Sequence, residues 1–482
     1  MKIKLMEVQM QHYGFILNGN IVLTSRQHNV KNKSTHQVFA TISLSFENDI
    51  EKAIESATKA FEVTKKLPAY KRKEILYKIA SEISGQKEEL AQTISIETGK
   101  PIKLSRIEVD RAVNTFQFAA EEVDKICGEV LNLDVTAQSE NRFGITKRFP
   151  IGPVLAITPF NFPINLAAHK IAPAIAAGNT IIFKPATAAM LTGSKLAMII
   201  NEVSQIPGLI NSVNCSGSMI EKFLSDERIK KISFTGSCEI GWRIKQLASK
   251  QKVTLELGGN AGVVVDKDAD LEFAIPRLVS GSFAHAGQIC ISVQRIFVLK
   301  EIFESFIQKF VDETSKVKCG DPLDENVIVG PMITENDAKR IEDWVNEAVS
   351  DGAKVLIGGK RKGEFYKPTV LTNTKPEMKV NALEAFAPIV TIEPVDSFEE
   401  GIKQINNSRY GLQAGVFTNN LKNALYAMEN LEVGGVIIND YPTFRVDNMP
   451  YGGVKDSGTG REGLKYAIED MTELRLVVFN KL

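Results

Sequence analysis

From residue 150 onward short apolar runs alternate with helical segments, and this alternation constrains the fold more than any other property of the chain. Residues 150–157 read as a strand, followed by an alanine-rich helix at 163–177 that Gly178-Asn179 closes. A short apolar strand at 180–183 comes next, then helix 190–203, strand 211–215, helix 218–224 and strand 231–235. Alternation of this kind predicts βαβ units and a parallel sheet covered by helices. A second alternating block starts near 253–256 and continues through strand 262–265, helix 270–286, strand 294–299 and helix 301–316 to about residue 440. Two α/β units are therefore expected.

Other segments flank them. Apolar residues at helical spacing predict helices over 47–65 (Ile50, Ala53, Ile54, Ala57, Ala60, Phe61) and 68–96 (Leu76, Ile79, Ala80, Ile83), with a third over 102–126. Residues 142–149 and 473–480 alternate like strands. They suit an appended sheet that pairs between subunits, or local edge cover. At 482 residues, two or three compact units are expected. Lys plus Arg equals Asp plus Glu at 58 each, which leaves no electrostatic footprint for nucleic acid or an anionic membrane. The segment Met1-Lys-Ile-Lys-Leu-Met-Glu-Val8 has no apolar run, so no signal peptide is expected. The most apolar stretch, 150–183, is broken by prolines, Asn161, His169 and Lys170 and cannot span a bilayer.

Chemistry concentrates in three short runs. Cys290 lies in Gly287-Gln-Ile-Cys290, Glu256 in Leu255-Glu-Leu-Gly-Gly259, and Asn161 in Thr158-Pro-Phe-Asn161-Phe-Pro163. They supply a soft nucleophile, a carboxylate base and an amide donor, the parts needed to make and then hydrolyse a thioester. A lone cysteine is usually a buried structural residue. Here the small residues Ala284, Ala286 and Gly287 just upstream let backbone and ligand approach closely. Cys127, Cys215, Cys238 and Cys319 form no C-x-x-C pair and have no histidine at metal-ligand spacing. No metal site is expected, and the cysteine usage fits a reducing cytosol. No G-x-G-x-x-G run is present. Instead strand 231–235 runs into Phe234-Thr235-Gly236-Ser237 and then, past Gly241, a helix. A glycine at such a turn leaves N–H groups free for a phosphate, although plain strand–turn–helix packing accounts for the run equally well.

With Ala172-Pro-Ala-Ile-Ala-Ala-Gly-Asn179, Phe183-Lys184-Pro185, Glu384-Ala-Phe386-Ala-Pro388 and Pro450-Tyr-Gly-Gly-Val-Lys-Asp-Ser-Gly458, these runs resemble the NAD(P)-dependent aldehyde dehydrogenase superfamily over nearly the whole chain. The resemblance implies an α/β, aldehyde dehydrogenase-like fold with two parallel-sheet domains and a small oligomerisation sheet. Residues 1–133 and 151–255 would bind the cofactor, 256–440 would carry catalysis, and 134–150 with 470–482 would pair subunits into a homodimer or homotetramer. Cys290 would attack the aldehyde, Asn161 and the Cys290 N–H would hold the oxyanion, and Glu256 would activate water. Thr158, Pro159, Phe160, Lys184, Thr187, Gly217, Phe234, Thr235, Gly236, Ser237, Gly241, Leu257, Glu384 and Phe386 would line the NAD or NADP site. Taken singly, Lys184 and Glu384 also suit a surface, Phe386 a core and Asn161 a turn.

Departures from the family pattern carry information. Many members have glutamate three residues after the motif lysine; here Thr187 stands there, which admits a 2′-phosphate and so NADP. Ala387 replaces the usual glycine. His169, Asn165 and Arg445 fall where the family's substrate tunnel is expected, and they look like the lactaldehyde, semialdehyde and non-phosphorylating glyceraldehyde-3-phosphate branches. A hydrogen-bonded core position suits His169 and a solvent-facing one suits Arg445 equally well. The expectation is a cytoplasmic oxidoreductase for a small polar or anionic aldehyde. The alternative is a CoA-acylating or phosphorylating relative, against which Glu256 argues.

Overall fold

The computed structural model describes residues 11–481; Met1–Val8, where the absence of a signal peptide was read, lies outside them. Two sheets dominate. The first has six strands in the order Ile210–Ser212, Ile181–Lys184, Val154–Ile157, Lys231–Thr235, Lys252–Glu256 and Gly458–Thr459. All its pairings are parallel except the last. The second has seven strands in the order Lys354–Ile357, Thr369–Thr372, Ile389–Val395, Val293–Leu299, Ala261–Val265, Gln413–Phe417 and Gly435–Ile438. Only Lys354–Ile357 runs antiparallel in it.

The strand near 253–256 was expected to open the second block. It instead belongs to the first sheet, pairing in parallel with Lys231–Thr235 and antiparallel with Gly458–Thr459. Its apolar pattern suits either sheet; the strand ends at Glu256, just before Gly258-Gly259. The next strand, Ala261–Val265, enters the second sheet, so four residues bridge the two.

Helical faces follow the apolar spacing. Ile50, Ala53, Ile54, Ala57 and Ala60 are buried, as are Leu76, Ile79, Ala80 and Ile83. The helix expected over 68–96 is two, Ala69–Gly85 and Lys87–Thr98, broken at Gln86, whose backbone leaves the helical region. The next, Ile102–Glu122, packs on the helix Asn165–Ala177 that lies over the first sheet. The helix expected over 270–286 stops at Phe283 because His285, Ala286 and Gly287 all take positive φ (52°, 55° and 65°). A three-stranded sheet joins Val130–Asn132, Arg142–Pro150 and Thr472–Asn480, the last two antiparallel in register along nine residues each. The sequence reading did not anticipate strands before residue 47. Asn18-Gly19, at φ 49° and 82°, turns the hairpin Phe15–Leu17/Asn20–Val22, a turn signal visible in the residue pair.

Candidate active site

The strands Val154–Ile157 and Lys231–Thr235 are neighbours although 73 residues of strand and helix separate them, with the intervening strands on the far side of Val154–Ile157. Such a reversal of strand order opens a crevice at the carboxyl ends of the strands. Thr158–Phe160, Lys184, Thr235–Ser237 and Glu256 all emerge there. Pro159 and Pro163 keep both the strand and the following helix from running through the Asn161 turn. Cys290 comes from the other side, three residues before the second-sheet strand Val293–Leu299.

One cavity of about 410 Å³ brings Cys290, Glu256 and Asn161 together with Pro159, Phe160, Thr235, Gly236, Ser237, Leu257, Glu384 and Phe386. Burial pushes the Cys290 thiol up to about 11, against the hydrogen bond of the Tyr451 hydroxyl, 3.0 Å from Sγ. The tyrosine, itself pushed well above its ordinary value by burial, stays neutral and can donate. The Cys290 N–H meets no acceptor among the described residues. Asn161 donates from Nδ2 to the Gln288 carbonyl (2.9 Å), which fixes the flip of the amide and leaves its second N–H uncommitted; its buried Oδ1 has no partner. Both Glu256 oxygens are buried without a partner. Burial, then the neighbouring Glu462, raises that carboxyl well above the usual range; Arg445, Lys170 and Arg461 oppose the shift. Glu384 accepts from the Gly259 N–H (3.0 Å), and burial lifts it to about 7 against that bond and Arg340. Phe386, at φ 48°, meets Phe160 edge-on at 6.0 Å.

A second cavity, about 540 Å³, shares Pro159, Thr235, Gly236 and Ser237 with the first and adds Thr158, Lys184, Thr187, Gly217 and Phe234. Sequence reading missed Ser218, Glu221 and Arg243 on its wall. Lys184 is 6% exposed and makes no ion pair among the described residues; burial lowers its pKa. The helix Cys238–Leu247 starts at this cavity with no side-chain cap on its first turn. A buried unpaired cation and an uncapped helix start suit the sugar hydroxyls and phosphates of a dinucleotide, so the cavity fits one. Gly241 does not line it. A Cβ at Gly241 would overlap the Leu257 side chain, so this glycine serves helix–strand packing.

A third cavity, about 40 Å³, lies on the other side of Cys290, walled by Arg111, Phe162, Asn165, Arg445 and Tyr451. Arg445 is not solvent-facing. It is 6% exposed, donates to Glu462 Oε2 (3.1 Å) and lies 3.7 Å over the Tyr451 ring. His169 does not reach this cavity. The helix turns it inward, and Nε2 bonds Asp447 Oδ1 at 2.9 Å. Burial and Arg445 lower its pKa, so the ring is neutral and donates. Asp447 also takes Asn165 Nδ2 (3.0 Å) and a forked pair from Arg111 (3.1 and 2.7 Å). Glu462 takes Lys170 at 2.8 Å; burial would raise it, but the charges of Lys170 and Arg445 hold it below the usual carboxylate range. Three cations, Arg111, Lys170 and Arg445, thus face Asp447 and Glu462, with the Glu256 carboxyl also close to Arg445 and Lys170. None of Arg111, Lys170, Asp447 or Glu462 carries a local sequence signal. Tyr451 stood inside the Pro450-Tyr-Gly-Gly run and could have been found there.

Comparison with known proteins places this geometry. A profile of the Aldehyde dehydrogenase family matches residues 22–477. The chain is 46% identical to 3-sulfolactaldehyde dehydrogenase of Priestia megaterium over 473 residues, 98% of this chain and 99% of the relative. Among solved structures, aldehyde dehydrogenase 21 of Physcomitrella patens, in complex with the reaction product succinate, superposes with a TM-score of 0.96 at 44% identity and covers 98% of this chain and 99% of its own. Glyceraldehyde-3-phosphate dehydrogenase GapN of Methanocaldococcus jannaschii, complexed with NADP, gives 0.91 at 42% identity, 95% of this chain and all of its own. By sequence and by fold, this chain belongs to the aldehyde dehydrogenase family and is an NAD(P)-dependent oxidoreductase acting on aldehydes.

Proposed function

We propose that the chain oxidises a short aldehyde with an anionic tail to its carboxylate, with Cys290 as nucleophile. The Cys290 thiol gives up its proton to water, and the sulfur adds as the thiolate to the carbonyl carbon to give a thiohemiacetal. The free Asn161 Nδ2–H and the Cys290 N–H receive the oxyanion; one such donor contributes roughly 3–4 kcal/mol to transition-state stabilisation. Bound nicotinamide supplies the hydride acceptor. The acyl group remains on Cys290 as a thioester; Glu256 takes a proton from water, the water oxygen adds to the acyl carbon, the C–S bond breaks, and the Cys290 sulfur leaves as the carboxylate is released. A raised carboxyl pKa supports this, because a base works best with a pKa near the working pH.

The paired arginines carry the substrate assignment. Arg111 Nη1 and Arg445 Nη1 and Nε make no hydrogen bond among the described residues, and both guanidiniums wall the small cavity at Cys290. Guanidinium forks suit sulfonate, carboxylate and phosphate oxygens. Relatives named for sulfolactaldehyde and glyceraldehyde 3-phosphate, and one holding succinate, share that anionic terminus. The 46% identity to a 3-sulfolactaldehyde dehydrogenase makes sulfolactaldehyde the first choice. Thr187 beside Lys184 places no carboxylate against a 2′-phosphate, which supports NADP over NAD. The first sheet would serve the cofactor and the second catalysis, with the cytosol as compartment.

The test is a panel of sulfolactaldehyde, succinate semialdehyde, glyceraldehyde 3-phosphate, lactaldehyde and hexanal with each cofactor. The three anionic aldehydes should lead in kcat/KM. Arg111→Leu or Arg445→Leu should cost them about tenfold to a hundredfold more than lactaldehyde, the worth of a charged hydrogen bond. Thr187→Glu should turn cofactor preference toward NAD by about tenfold or more through like-charge repulsion. A wild type that prefers hexanal, or equal losses on all substrates, overturns the substrate assignment.

A further inference from the structure

We propose that Lys100 and Glu108 are positioning residues that set the Asn161 amide for catalysis. The inference rests on the reading of Asn161 as an oxyanion donor.

Both side chains are buried, 1% exposed, in the helical region before the first sheet, and they pair at 2.6 Å. Neither touches the reacting atoms. Together they grip the turn that carries Asn161 from two sides. Lys100 Nζ donates to the Asn161 carbonyl at 3.0 Å and stands 3.4 Å from the centre of the Phe162 ring. Glu108 Oε1 accepts from the Ile164 and Asn165 N–H groups at 2.9 and 3.2 Å, at the start of the helix Asn165–Ala177. Four of the five residues from Asn161 to Asn165 are therefore tied to one ion pair. The far end of the Asn161 side chain is tied to the Gln288 carbonyl, two residues before Cys290. With the backbone held by Lys100 and the amide by Gln288, the direction of the remaining N–H relative to Sγ is set.

Burying two charges where apolar residues could pack is poor economy for stability alone; removing one partner is costly, replacing both often is not. Burial already drags the Lys100 ammonium down to about 8. Such a pair makes sense where it fixes geometry, and displacing a reacting group by about 1 Å can cost about a hundredfold in rate.

The experiment is a double-mutant cycle on the acylation rate, read as the burst of reduced nicotinamide in single turnover. Lys100→Met should slow acylation by about tenfold to a hundredfold, by that displacement argument, with KM and the dissociation constant for NADP unchanged. In an Asn161→Ala background the same substitution should cost less than about threefold, because residues acting as a unit are not additive. Lys100→Met strands the Glu108 charge and can prevent folding. Lys100→Met/Glu108→Gln removes both charges, keeps an acceptor for Ile164 and Asn165, and should give the same cycle. If Asn161→Ala is itself impaired but the Lys100 loss is equal in both backgrounds, the positioning role falls alone. If Asn161→Ala acylates at the wild-type rate, the oxyanion reading falls and the positioning role with it.

Discussion

Glu256 shows how burial turns an ordinary side chain into a tuned one. Its carboxylate ends a strand, loses water to the sheet and faces Glu462, so its neutral form persists to higher pH than in a free glutamate. The sign is then fixed: a base whose pKa is raised gains its working form only as pH rises. On the proposed mechanism, turnover should climb with pH from the acid side through neutrality, and Glu256→Gln should flatten that limb. The variant should still release about one equivalent of reduced nicotinamide per site, then turn over roughly 10² to 10⁴ times slower than wild type. A pH–rate profile with stopped-flow absorbance reads both. A Gln variant with the wild-type slope removes Glu256 from the base role.

At the scale of the element, the turn before Cys290 stands out. Three consecutive residues, two of them not glycine, hold left-handed backbone, and a Cβ on Gly287 would overlap the Ala387 carbonyl oxygen. Positive φ in non-glycine residues costs of order 1–3 kcal/mol each. Gly287→Ala should therefore lower the unfolding free energy by at least about that much and weaken acylation, measured by denaturant titration and burst rate; an unchanged midpoint contradicts the strain. This turn also marks the limit of what the sequence conveys. Cys290, Glu256 and Asn161 were legible because each lies in a short run rich in glycine or proline beside a strand end. The helix end at Phe283 was not, because apolar spacing says nothing about backbone forced left-handed by distant packing. Arg111 and Lys100 were equally illegible: a charge on or beside a helix reads as solvated face until a partner 336 residues on, Asp447 for Arg111, or the Asn161 turn for Lys100, buries it. Short polar strands such as Gln27–Lys31 lack the periodic apolar run that announces an element.

For the molecule as a whole, the strand Thr472–Asn480 leaves an open edge. Among the described residues it pairs on one side only, and Leu474, Leu476, Val477, Val478 and Phe479 are 43–55% exposed. A long apolar edge of this kind invites a second chain. Wild type should scatter light as an assembly, and Leu476→Asp with Val478→Asp should reduce its mass to the 53.1 kDa of one chain; a wild type already at that mass excludes the assembly. The same large-scale view returns to the four residues between Glu256 and Ala261, the crossing from one sheet to the other. The carboxylate ends a strand of one slab and the thiol lies just before a strand of the next, so the two are fixed to separate bodies, joined here by a strap containing Gly258 and Gly259 and again where the chain returns to the first sheet at Gly458–Thr459. Any rocking of one slab against the other changes the gap between thiol and carboxylate while sparing the dinucleotide cavity's parallel-strand floor. On the proposed mechanism, heat, pressure or a distant substitution that loosens the strap would stall the hydrolysis of the thioester before it released the cofactor, leaving an enzyme that still binds but carries its own half-finished product.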